Sequence, residues 1–262
     1  MASNNEAYII AVANQKGGVA KTTTTVNLAA CLAAEGKRVL LVDMDPQGGS
    51  VVCLGMDTTV VEQSVYDALV RPNVGIADVI LETDFDFHLV PSNIDLAGAE
   101  VELKQALAAE TVLQRKLKPV MGRYDFILID TPPSLGILTV NSLTAAHGVL
   151  IPISTEYMAL RGLRMLLDTL ENIKEVTNPD LEILGLLATR YDTRTINSRE
   201  VHQYLSEYCE REGLRLFPQI IKQSVRFAEA PGYRTPLALW RKELDGAKQY
   251  HMLALEVMNG KA

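Results

Sequence analysis

Lys16, Gly17, Gly18 and Lys21 crowd into one short stretch, and hydroxyl side chains follow from Thr22 onward. A continuous apolar run, Tyr8 to Ala13, precedes the stretch, and a segment of helical character, Lys21 to Glu35, follows it. A loop between a strand and a helix is where an anion binds, because the helix start offers free N–H groups and the positive end of its dipole. Gly17 and Gly18 let the backbone turn tightly and aim its amides at oxygen. Lys21 is placed to reach β- and γ-phosphates, and Thr22 to put its hydroxyl on Mg²⁺. Two other segments end in carboxylates: RVLLVD (Arg38 to Asp43), followed by Asp45, and FILID (Phe126 to Asp130). Carboxylates at strand ends beside a terminal phosphate can orient water or hold Mg²⁺.

The elements that must position these residues follow from apolar patterning. Tyr8 to Ala13, the helix Lys21 to Glu35 with Gly36 past its end, and the strand Arg38 to Asp43 make a βαβ unit with short connections. Such a unit implies a parallel sheet with a right-handed crossover. Phe87 to Val90, Phe126 to Asp130, Val149 to Ile153 and Ile183 to Ala188 are further apolar runs that suit strands covered on both faces. Leu96 to Leu117 reads as one helix. Leu160, Leu163, Leu166, Leu167, Leu170 and Ile173 mark a core-facing helical stripe. Thr195 to Arg211 and Glu243 to Met258 read as amphipathic helices. The reading is a single α/β domain over 1–262, a doubly wound, mostly parallel sheet with helices on both faces.

The pattern G-x-x-x-x-G-K-[ST] is not met, since its glycines would fall at Gln15 and Ala20. The stretch instead matches K-G-G-x-x-K-[ST] in full. It resembles the deviant phosphate loop of the ParA/MinD family, within the P-loop fold. The segments Asp43 to Gly48 (DMDPQG) and Asp130 to Ser134 (DTPPS) resemble two more motifs of that family in the same order. Glu156 to Gly162 (EYMALRG) and Ser224 to Pro231 (SVRFAEAP) resemble its ParA branch. The resemblance implies ATP and Mg²⁺ as cofactors, with Lys16, Gly17, Gly18, Val19, Ala20, Lys21, Thr22 and Thr23 around the phosphates. It implies Asp45 as the carboxylate that orients water, and Thr22, Asp130 and Asp43 around the metal. It further implies that Lys16 acts in trans, on the nucleotide of a second subunit, so that ATP would drive a homodimer and hydrolysis would release it. Thr189 and Lys222 are the residues expected near adenine.

ParA relatives bind DNA without sequence preference once dimeric, through Lys and Arg contacts to phosphates. The candidates are Arg194, Arg199, Lys222, Arg226, Lys242 and Lys248. Relatives write I-P-R-N-V-R where this chain has Ile221 to Arg226, with Gln223 in place of the first arginine. The resemblance further implies a ParB-like or cargo adaptor that stimulates hydrolysis, and a cytoplasmic, nucleoid-associated protein that segregates DNA. A protein cargo, such as a chemoreceptor cluster or a microcompartment, is the alternative, followed by a MinD-like membrane role. The chain end lacks the basic amphipathic face that a membrane role needs. The formal net charge of −7 argues against a surface that coats nucleic acid all round, and leaves room for a local basic patch. Cys31, Cys53 and Cys209 form no C-x-x-C, which argues against a disulfide framework or zinc site. The first residues have neither a basic n-region nor a long apolar run, so no signal peptide is expected.

Overall fold

The computed structural model describes residues 6–56, 61–157 and 159–260, without the side chains of 159–161. Among these, eight strands form one sheet: β1 (Tyr8–Val12), β2 (Val39–Asp43), β3 (Leu81–Glu82), β4 (His88–Val90), β5 (Phe126–Asp130), β6 (Gly148–Ser154), β7 (Glu182–Tyr191) and β8 (Leu216–Lys222). Their order is β3-β4-β2-β5-β1-β6-β7-β8. The β3–β4 pair is antiparallel, and the other pairings are parallel. The helices are α1 (Lys21–Ala34), α2 (Gly49–Cys53), α3 (Val65–Val70), α4 (Leu96–Leu103), α5 (Val112–Leu117), α6 (Ile137–Ala145), α7 (Ala159–Val176), α8 (Ile196–Glu212), α9 (Arg226–Glu229), α10 (Leu237–Trp240) and α11 (Asp245–Asn259).

The apolar runs that lack alternation are strands buried on both faces. On β1, Ile9 and Ala11 enter one core while Ile10 and Val12 enter the other, and Leu40 and Val42 against Val39 and Leu41 repeat this on β2. Helices α3 to α8 supply the first core, and α1, α2, α10 and α11 the second. The leucine stripe lies on α7, where Leu163, Leu166, Leu170 and Ile173 are buried; the side chain of Leu160 lies outside the described residues. Helix α1 ends at Gly36, whose φ of +77° suits a residue without Cβ. The Gly36 N–H donates to Ala33 O and the Lys37 N–H to Leu32 O, the paired bonds of a Schellman stop.

The continuous helix expected over Leu96 to Leu117 is instead broken into α4 and α5. Leu103 and Val112, both buried, are nine residues apart. That is about two and a half helical turns, so in one helix they would face opposite ways. The break is held by Asn141 of α6, whose Oδ1 accepts from the Leu113 N–H at 3.0 Å and whose Nδ2 donates to Ala109 O at 2.8 Å. Strand β8 was not legible because Pro218 and Gln219 interrupt its pattern. It lies at the sheet edge, where a missing N–H is tolerated.

Ala20 caps α1 in the left-handed region, with φ +67° and ψ 34°. This conformation disfavours a Cβ. Ala20→Gly is therefore expected to raise stability by about 0.5 kcal/mol, and Ala20→Val to lower it. Urea unfolding of the three proteins checks this, and a loss of stability with glycine would contradict it.

Candidate nucleotide site

The C-terminal ends of β1, β2, β5, β6 and β7 converge below the loop 13–20. Parallel register sets Val12 and Asp43 on either side of Asp130. The loop is tied down at each step. Asn14 Nδ2 donates to Pro152 O at 2.7 Å, and its Oδ1 accepts from the Lys16 N–H at 2.9 Å. Thr189 Oγ donates to Val19 O at 3.0 Å, and Arg190 Nη1 to Gly18 O at 3.0 Å. These bonds turn carbonyls away from the cleft and leave it to amides, the arrangement that receives an anion. Gly17, Gly18, Ala20, Lys21, Thr22, Thr23, Asp45 and Pro133 line a cleft of about 300 Å³.

Lys21 is buried at the helix start, its Nζ donating to Lys16 O at 3.3 Å. Burial pushes its pKa down, against the pull of Asp130 and Asp45. Asp43 is fully buried, and its two oxygens accept from the Asp45 N–H at 3.0 Å and the Ser50 N–H at 2.9 Å. It thereby shapes the loop that carries Asp45. Asp45 in turn accepts from the Gln47 N–H at 3.0 Å. A Cβ at Gly49 would lie 3.1 Å from the Thr22 side chain, so this loop closes directly over Thr22.

The donor set fits Mg²⁺. Asp130 Oδ1 accepts from Thr25 at 3.3 Å, while Oδ2 is buried without a hydrogen-bond partner. Buried carboxylates at neighbouring strand ends face one buried ammonium, so the site holds more negative charge than it neutralises. Thr22 and Asp130 are the residues placed to hold Mg²⁺, which would supply the missing positive charge and polarise phosphate oxygens. Burial, and then repulsion from Asp43, raise the Asp130 pKa; burial pushes that of Asp43 up to about 6. With both values above those of the unfolded chain, folding takes up protons. The contribution to stability is present below about pH 4 and lost as pH rises through about 6. Asp130→Asn is expected to raise the metal-free melting temperature at pH 7.5 by about 3 °C. That gain should shrink toward pH 4, and the extra stabilisation that Mg²⁺ adds to bound ATP should vanish. Thermal melts from pH 4 to 8, with and without Mg²⁺, check both effects.

A second pocket of about 340 Å³ shares Ala20 and Thr23 with the first and is lined by Arg190, Ile221, Lys222, Gln223, Ser224, Phe227 and Ala228. It is placed for the base of a nucleotide whose phosphates occupy the loop. Lys222, one of the two residues expected near adenine, lines this pocket. Thr189 is not among the lining residues: it is fully buried behind the loop and spends its hydroxyl on Val19. Arg190 and Phe227 escaped sequence reasoning, because an arginine at a strand end or an aromatic after a turn carries no local signal.

Lys16 points away from the cleft. Its Nζ donates to Glu156 Oε2 at 2.5 Å and to Ser154 Oγ at 3.4 Å. Of the basic residues considered for DNA, Arg194 pairs with Asp192, Arg226 with Glu229, and Lys222 with Asp245. Arg199, Lys242 and Lys248 are exposed. Lys242 and Lys248 border a groove of about 500 Å³ between α1 and α11. No helix among the described residues is long and apolar enough to cross a membrane.

Comparison with known proteins agrees with this geometry. The family model described as "AAA domain" matches residues 7–183. The chain is 46% identical over 250 residues to the sporulation initiation inhibitor protein Soj of Bacillus subtilis, covering 95% of this chain and 97% of that one. It is 41% identical over 251 residues to the chromosome partitioning protein ParA of Myxococcus xanthus, covering 95% and 87%. A Mycobacterium smegmatis structure described as cobyrinic acid a,c-diamide synthase, with ADP and magnesium, superposes with a TM-score of 0.84 at 40% identity, covering 96% of this chain and 94% of that one. A phosphate loop of ParA/MinD type, carboxylates at the adjoining strand ends and relatives matched over almost the whole chain lead to one conclusion: the chain belongs to the Soj/ParA family of P-loop ATPases.

Proposed function

We propose that this chain is an ATP-dependent dimerisation switch that binds DNA as the ATP dimer and hydrolyses ATP slowly. In this reading it segregates or positions DNA cargo together with an adaptor protein. The observation that carries the reading is the division of labour between two lysines. Lys21 lines its own phosphate cleft, whereas Lys16 reaches out of it toward Glu156. A cation on the phosphate loop that does not serve its own cleft is suited to a nucleotide presented by a second copy. There it neutralises charge as the γ-phosphate leaves.

Asp45 lines the cleft together with Pro133 and is half-buried, so its carboxylate can meet a water beside a bound phosphate. Thr22 and Asp130 hold Mg²⁺, and Asp43 fixes the loop behind them. Nonspecific DNA then meets exposed cations, among them Arg199, Lys242 and Lys248, which form no ion pair among the described residues, unlike Arg194 and Arg226. DNA as the track makes the protein nucleoid-associated in the cytoplasm. A ParB-like or cargo adaptor stimulates hydrolysis and resets the dimer.

Three measurements test the reading. In sedimentation velocity with ATP and Mg²⁺, Lys16→Ala remains a monomer where the wild type dimerises; an ATP dimer of that variant removes the trans role. Asp45→Ala accumulates the ATP dimer and loses turnover by about a hundredfold or more; normal turnover removes Asp45 from its role. Co-sedimentation with nonspecific duplex DNA occurs with ATP, is absent with ADP, and falls steeply as salt rises. Dimerisation without DNA binding keeps the ATPase and moves its track to a protein or membrane surface.

A further inference from the structure

Glu156 lies two residues beyond the end of β6, and Arg190 is the penultimate residue of neighbouring β7. Ser154 of β6 and Thr189 of β7 are register partners, so the two strand ends present these side chains together. Lys16 Nζ bonds Glu156 Oε2 at 2.5 Å, while Arg190 Nε lies 3.8 Å from Glu156 Oε1. Arg190 also donates to Gly18 O and holds a left-handed backbone, with φ +53°. One carboxylate thus serves two cations, and the circuit closes on the phosphate loop on either side of Gly17. Lys16, and behind it Arg190, hold the Glu156 carboxyl below the usual carboxylate range.

Three features distinguish this arrangement from a structural ion pair. Lys16 and Glu156 side chains are 31% and 46% exposed, so the pair separates without leaving a buried charge. When Lys16 departs, Arg190 remains to neutralise Glu156, so departure creates no unpaired carboxylate. Arg190 also lines the pocket placed for the base, so the group that remains is the one a nucleotide touches.

We propose that Glu156 is a positioning residue that holds Lys16 on its own subunit and restrains dimerisation until Lys16 transfers to the nucleotide of a second copy. The inference rests on the trans role of Lys16 given above. Held this way, Lys16 must break its bond to Glu156 before it can reach a partner, and each dimer requires two such exchanges. The γ-phosphate outcompetes one carboxylate for a lysine because it carries more charge, whereas ADP, without it, leaves Lys16 in place.

The test uses Glu156→Gln, which keeps the shape and removes the charge at a half-exposed position where folding is unaffected. Two readouts are taken on the full chain. In sedimentation with saturating ATP and Mg²⁺, the variant is expected to dimerise at roughly tenfold lower protein concentration, from a few-fold effect in each subunit. Without nucleotide, acetic anhydride labelling of Lys16, read by peptide mass spectrometry, is expected to rise a few-fold as the amine is released; a glutamate that only supports the fold would leave the ATP dimerisation concentration where it is. Unchanged or weakened ATP dimerisation of Glu156→Gln overturns the proposal, even if labelling rises. Unchanged labelling overturns it as well. Lys16→Ala is run beside it: an ATP dimer of that variant removes the trans role, and the proposal falls with it for a different and visible reason.

Discussion

The site is organised by two carboxylates buried side by side without enough positive charge to balance them. Asp43 and Asp130 are register partners on adjacent strands, and both are fully enclosed. Such a concentration of buried charge is relieved either by taking up protons, as the raised pKa values of both groups reflect, or by binding a cation. Asp43 satisfies both its oxygens with amides of its own loop, so its charge is spent on shape. Asp130 keeps one oxygen unpartnered, so its charge is left for the ligand. The same side-chain type at equivalent strand ends therefore does two different things, and hydrogen bonding decides which.

The phosphate loop answers this negative wall with amides and one buried ammonium, and its geometry is imposed from beneath. Asn14, Thr189 and Arg190 pin the loop to β6 and β7 through bonds to its backbone. Binding free energy is then not consumed in ordering the loop. Helix α1, which continues from it, is buried nearly all round, and Tyr250 of α11 bonds Thr24 in its first turn at 3.0 Å. Through that bond the far end of the chain is in mechanical contact with the phosphate site.

The parts legible in the sequence were those with strong local patterning. Lys16 to Thr22, Asp45 and Asp130 sit in contiguous motifs, and the apolar strands before them have no alternative reading once a parallel sheet is assumed. What escaped depends on contacts between distant segments. Asn141 breaks the helix between Leu103 and Val112 from a different element. Thr189 was expected at the base and is found under the loop, because a one-residue change along a strand turns a side chain to the other face. Arg190, its neighbour on β7, lines the adjoining pocket instead. Glu156 stood inside a quoted motif, yet its bond to Lys16 spans 140 residues and has no signature in either segment.

The two borders of the sheet bear on how copies of this chain meet. At one border stands β3, two residues long and antiparallel to its neighbour. At the other stands β8, with Pro218 in its middle and Lys222 at its end. Neither border offers a long row of free amides and carbonyls to an incoming strand. If copies of this chain meet on ATP and part on hydrolysis, as proposed above, every encounter has to be reversible. With the lateral route obstructed at both rims of the sheet, that proposal leaves such encounters to the face that carries the phosphate loop, where hydrolysis could undo them.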